Sequence, residues 1–193
     1  MARTPSTMLP LGTLAPNFSL PSTDGTQVSL ADFSGAPALL VAFISNHCPY
    51  VKHIRANFAA LGNEYQARGV AVIAVGSNDG EAYPDDNFDA MKAEKLAAGY
   101  AFPYLHDADQ SVAKAYRAAC TPDFFLFDGN QALVYRGQMD GARPHNEEAP
   151  SGRDLRAALD AVLEGREVSA EQKPSLGCNI KWKAGNEPDY FTS

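Results

Sequence analysis

Residues 38–58 most restrict what this chain can fold into. Ala38-Leu39-Leu40-Val41-Ala42-Phe43-Ile44 run without a polar break. A run so short and continuous is expected of a strand buried on both faces. Ser45 and Asn46 then make a polar turn, and Pro49 suits the first turn of a helix, where a missing N–H is no loss. Beyond it Val51, Ile54, Phe58 and Leu61 recur at helical spacing. The pattern predicts strand, turn and helix, with Cys48 at the helix N-terminus.

That position favours an anion, because the first turn of a helix carries unpaired N–H groups and a partial positive charge. The anion here would be a thiolate, whose pKa falls from about 8.5 at such sites. His47 and Lys52 are the local cations. The alternative is an inert cysteine packed as a small hydrophobe. A polar Asn46-His47-Cys48-Pro49 turn favours the reactive reading.

The flanking chain reads as mixed α/β. Residues 17–20 and 27–30 alternate around a Thr23-Asp24-Gly25-Thr26 turn, which predicts a hairpin. The helix after Cys48 is expected to run to about Ala67, with Gly69 ending it. Residues 70–75 are a second continuous apolar strand, closing a β-α-β unit. Helices are expected over 88–98, 111–119 and 153–164, and strands over 102–105, 124–127 and 132–137. Residues 1–15 read as a loosely held arm, 16–166 as the domain, and 167–193 as an irregular tail packed on it. Trp182 is expected to clamp that tail to the core.

Strand, turn, Cys48-Pro49-Tyr50-Val51-Lys52 and helix resemble the active-site segment of thioredoxin-like proteins. Cys48 matches the nucleophilic first cysteine of their paired motif, and Val51 stands where the second would be. The heptapeptide from Asn46 to Lys52 resembles a peroxiredoxin-like branch related to the alkyl hydroperoxide reductase and thiol-specific antioxidant family, over about Pro16 to Pro188. The resemblance implies a thioredoxin-like fold, a central mixed sheet flanked by helices. An N-terminal hairpin, an inserted helix and an extended tail would be added to it. It also implies a cis Thr121-Pro122 bond facing Cys48, with the Thr121 backbone turned toward an extended substrate. Asn46, His47, Pro49, Tyr50, Lys52, Thr121 and Pro122 are then the candidate substrate-binding residues. The peroxiredoxin signature places a serine or threonine three residues before its cysteine and a proline seven before. Ser45 fits the first position and Val41 departs from the second.

The expected activity is thiol oxidoreduction on disulfides or peroxides through Cys48. A peroxiredoxin-type peroxidase and a non-catalytic binding module on the same fold are the alternatives. Cys178, in a tail free to move, and Cys120, on a rigid loop before Thr121, are the candidate resolving thiols. In the remaining reading both are apolar fillers. No organic cofactor is required, and electrons would come from a thioredoxin or a small thiol. Oligomeric state is open, a homodimer being one arrangement.

Other classes fit less well. A net charge of −7 argues against nucleic acid or an anionic membrane as partner, and no apolar run reaches the length of a membrane span. Three cysteines and no apolar leader suit a reducing cytoplasm. His47, Cys48 and His53, with His106 and His145 elsewhere, lack the paired spacing of zinc sites. Asp79, Glu81, Asp85, Asp86 and Asp89 lack calcium-loop spacing and read as a solvated acidic helix start. Gly76 to Gly80 lacks the lysine of a phosphate loop.

Overall fold

Strand β4 (Ala38–Phe43) is apolar throughout because both of its faces are covered. In the computed structural model, which describes residues 3–191, it is the central strand of a five-stranded sheet. Its side chains alternate between two cores. Ala38, Leu40 and Ala42 enter one, and Leu39, Val41 and Phe43 the other. β4 pairs in parallel with β5 (Ala71–Gly76) and antiparallel with β8 (Asp123–Asp128). β6 (Tyr104–His106) extends the sheet beyond β5, and β9 (Leu133–Gly137) beyond β8.

The first core lies under α1 (Pro49–Ala67), α2 (Phe88–Ala98) and α4 (Arg153–Leu163). They contribute Ile54, Phe58, Leu61, Met91, Leu155 and Leu159. Each large side chain so buried stabilises the fold by about 1.5–3 kcal/mol. The second core is closed by α3 (Ser111–Ala115) and by a hairpin of β2 (Ser19–Pro21) and β3 (Gln27–Ser29), through Val112, Phe18, Leu20 and Leu30. Among the described residues no helix is long and apolar enough to cross a membrane.

Three expectations change. The helix expected over 111–119 ends at Ala115, because Arg117 turns to positive φ and Cys120 enters β7 (Cys120–Thr121). The arm is not loose: β1 (Thr4–Pro5) is paired, Leu9 is buried, and Arg136 Nε donates to the Leu9 carbonyl at 2.9 Å. The tail is not irregular where it matters most. Residues 176–179 form β10 (Leu176–Asn179), which lies between β1 and β7 in a second small sheet. Trp182 packs against the second core and edge-on to Tyr190, so the clamp is present.

Candidate functional site

β4 ends at Phe43, and Ile44 N still donates to Val75 O at 3.0 Å, so the chain leaves the sheet centre as Ser45-Asn46-His47. A polar turn at a buried strand end must find acceptors for its donors. They converge on Asp86, only 4% exposed. Its carboxylate accepts from Ser45 Oγ at 3.0 Å, Asn46 N at 2.6 Å, His47 Nδ1 at 2.5 Å and Asn78 Nδ2 at 2.7 Å. Asn46 is fixed further, donating to Asp85 O and accepting from the Tyr104 hydroxyl. The His47 ring stacks on Tyr83, with centroids 5.5 Å apart. The turn before Cys48 is therefore clasped from both sides. Asp86 was expected to be a solvated helix acid, and it is instead the buried anchor of the turn; Asn87 caps α2. Only the polarity of the Ser45-Asn46-His47 turn hinted at such an acceptor. Asp86→Ala should cost about 3 kcal/mol or more by stranding those donors, read as a lower urea midpoint, with Asp86→Asn intermediate.

Cys48 is the N-cap of α1 and has no exposed surface. Its thiol donates to the Thr121 carbonyl at 3.1 Å. Thr121 precedes Pro122 through a cis bond, as the resemblance implied. Across from Thr121, in antiparallel register, stands Cys178. Its close approach depends on Gly177, where a Cβ would sit 2.0 Å from the Thr121 carbonyl oxygen.

The Cys48 pKa is lowered to about 5. The largest cause is a hydrogen bond from the Cys178 side chain. Burial opposes it, and the Thr121 side chain and the Val51 amide at the start of α1 add to the lowering. Cys178 moves the opposite way, its pKa raised by the same bond and by burial, while the Lys181 ammonium works against that rise. The two sulfurs thus compete for a proton, and Cys48 gives its own up first, turning from donor to Thr121 into acceptor from Cys178. Lys52 is exposed, and His47 gives its Nδ1 to Asp86, so hydrogen bonds rather than these cations dominate at Cys48.

Cys120 is fully buried, its thiol toward Pro122 O at 3.7 Å. Burial, then Asp123, push its pKa well up. Asp123 is also buried, accepts from Ser6 Oγ at 2.7 Å, and has one oxygen without a partner. Burial raises its pKa to about 7. Pro49 opens α1 and Tyr50 packs into the first core. Tyr50, Pro122, Arg143 and Leu176 border a gap of about 10 Å³, room for a single water. Of the expected residues, the structure brings together Cys48, Cys178, Thr121 and Pro122, commits Asn46 and His47 to Asp86, and leaves Lys52 outside. Among the described residues no group of three His, Cys, Asp or Glu is placed to hold a metal.

A central mixed sheet, a cysteine at a helix N-terminus and a cis-proline loop facing it define a thioredoxin-like fold. The thioredoxin domain of a Bacteroides vulgatus thiol-disulfide oxidoreductase superposes with a TM-score of 0.57 at 20% identity, over 67% of this chain and 89% of that one. The AhpC/TSA family model matches residues 11–136, and the chain belongs to that family. Thiol-disulfide oxidoreductase ResA of Bacillus subtilis is 32% identical over 141 residues, 70% of this chain and 72% of its own. The crystal structure of a hypothetical protein from Sinorhizobium meliloti 1021 is much more similar. It is 55% identical, with a TM-score of 0.93 over 94% of this chain and all of that one. The chain is thus a member of a thiol-disulfide oxidoreductase and peroxiredoxin-like family. Cys178 and β10 lie beyond the segment that the family model matches.

Proposed function

We propose that this chain is a thiol oxidoreductase in which Cys48 is the nucleophile and Cys178 its resolving partner. The observation that carries the reading is the meeting of the two cysteines at Thr121, whose carbonyl lies 3.1 Å from the Cys48 sulfur and which Cys178 faces in antiparallel register. In keeping with it, the Cys178 hydrogen bond lowers the Cys48 pKa to about 5. A thiolate attacks, and a thiol already within hydrogen-bond reach is placed to resolve.

With a disulfide substrate, Cys48 S⁻ attacks one sulfur and the other leaves as a thiolate, which takes up a proton. Cys178 then gives up its proton and attacks Cys48, releasing the second substrate thiol. The products are two substrate thiols and a Cys48–Cys178 disulfide, a two-electron exchange. With a peroxide, Cys48 S⁻ would attack one peroxide oxygen, the O–O bond breaking and an alcohol or water leaving with a proton, to give a sulfenic acid. Cys178 would then attack that sulfur, and water would leave. Ser45 Oγ donates to the buried Asp86, which supports the disulfide reading over the peroxide one. The lowered Cys48 pKa speaks against a non-catalytic module. In a reducing compartment such as the cytoplasm, a thioredoxin or a small thiol would return the pair to its reduced state.

A non-reducing peptide map after mild oxidation tests this. The expected product is a peptide pair linked through Cys48 and Cys178, absent in Cys48→Ser. A link through Cys120, or none, would sink the assignment.

A further inference from the structure

The edge beside the nucleophile is already paired. The backbone at Thr121 is where an extended polypeptide would add a strand to reach Cys48. β10 occupies that edge, Cys178 opposite Thr121 and Asn179 opposite Cys120. β10 is itself covered on its other side by β1, Thr4 opposite Gly177. Ser6 and Ser175 fasten the arrangement. Ser6 N donates to Ser175 O at 3.0 Å, Ser175 N to Ser6 Oγ at 2.8 Å, and Ser175 Oγ to Pro122 O. Beyond Cys178, Lys181 N donates to Asn78 Oδ1, and Gln110 Nε2 donates to Lys181 O. A polypeptide disulfide therefore meets a closed edge and a Cys48 with no exposed surface.

A second observation concerns charge. Lys181 Nζ is held by two neutral acceptors, Asn179 Oδ1 at 2.7 Å and Asn179 O at 3.1 Å. It forms no ion pair with any of the described residues, and it lies 5.9 Å from the Tyr83 ring centroid. Its field reaches Cys178. In a chain of net charge −7, this is an uncompensated cation three residues beyond a redox-site sulfur.

Resting on the Cys48–Cys178 reading above, we infer that the pair exchanges with low-molecular-weight thiols and disulfides bearing a carboxylate, and that β10 excludes polypeptide disulfides. In the reducing half-reaction a small thiolate attacks Cys178, which is 5% exposed against none for Cys48. The disulfide breaks, and Cys48 leaves as the thiolate. A second small thiolate attacks the external sulfur of the mixed disulfide, giving a small-molecule disulfide and Cys178, which is reprotonated. Cys48 is the better leaving group because leaving rate rises as thiol pKa falls.

The reduced full chain should be mixed separately with glutathione disulfide, cystamine and insulin. Formation of the Cys48–Cys178 disulfide, and covalent capture of insulin chains on Cys48, are read by mass. Wild type should react with insulin about a hundredfold more slowly than with glutathione disulfide, lacking the main-chain hydrogen bonds of a docked strand. Lys181→Gln should lower the glutathione-disulfide-to-cystamine rate ratio about threefold, as loss of a half-buried, solvent-screened charge does. Gly177→Ala, whose Cβ pushes β10 off Thr121, should capture insulin on Cys48. Insulin reacting with wild type as fast as glutathione disulfide overturns the inference while leaving the redox pair intact. An unchanged ratio in Lys181→Gln overturns the charge preference. Should Gly177→Ala not fold, the wild-type and Lys181→Gln rates decide alone. If none of the three oxidants links Cys48 to Cys178, the redox pair itself is refuted.

Discussion

Cys178→Ala should raise the Cys48 pKa from about 5 to at least the value of about 8.5 typical of a free cysteine. The Cys178 thiol is the largest cause of the lowering, and without it burial, the next largest cause, acts against the smaller hydrogen bonds from Thr121 and from the Val51 and Cys178 backbones. At pH 6.5 the thiolate would drop from nearly the whole population to about one per cent. Iodoacetamide alkylation of Cys48 should slow in proportion. Cys178→Ser separates the two roles of this residue. Its hydroxyl can still donate, so the low pKa and fast alkylation should persist while the intramolecular disulfide is lost. Equal alkylation pH profiles in Cys178→Ala and wild type would refute that account of the Cys48 pKa.

The same pair has a stability consequence of known sign. Cys48, with a folded-state pKa below the unfolded one, stabilises the fold, and that benefit grows from about pH 5 to about 8.5 and is lost as pH falls back to about 5. Above about 8.5 the raised pKa of Cys178 works against it, because the fold keeps a proton that the unfolded chain releases. Cys178→Ala should flatten that dependence.

Asp123→Asn should stabilise the protein at pH 8 by up to about 4 kcal/mol and change little at pH 4. The carboxyl is buried, and its pKa is raised to about 7. In the unfolded chain it ionises from about 3.9. Folding must therefore hold a proton that the unfolded chain gives up. That penalty is small near pH 4, grows as pH rises, and is complete above about 7. An amide removes it. The Ser6 hydroxyl keeps its acceptor, and the amide nitrogen takes the place of the oxygen that has no partner. Urea unfolding at the two pH values measures the difference. Equal destabilisation at both would mean that the carboxyl is needed for packing rather than penalised for ionising.

Particular residues show how far sequence reading reached. The apolar run of β4, Pro49 at the start of α1 and the residues that bury α1 act within a few positions of one another. Strand, turn and helix were therefore legible, and with them Cys48 at a helix start. The hairpin was legible for the same reason, its turn lying between two short alternating runs. Asp86 was not. It sits 39 residues from His47, and its run of acids looks like any solvated helix start. Nothing local distinguishes the one carboxylate that the fold turns inward.

The tail divides the two kinds of information most clearly. Residues 165–193 have no amphipathic period, so the sequence alone predicted an irregular, movable segment carrying Cys178. β10 is a strand only because β1 and β7 supply hydrogen-bond partners from positions about 170 and 57 residues away. Local sequence determined that Cys48 opens a helix, since a helix start and its proline are written in neighbouring residues. Tertiary structure alone decided the neighbour of Cys48 and its pKa. Backbone pairing and the Cβ-free approach at Gly177 set the Cys178 sulfur against Cys48, and no spacing along the chain encodes that meeting.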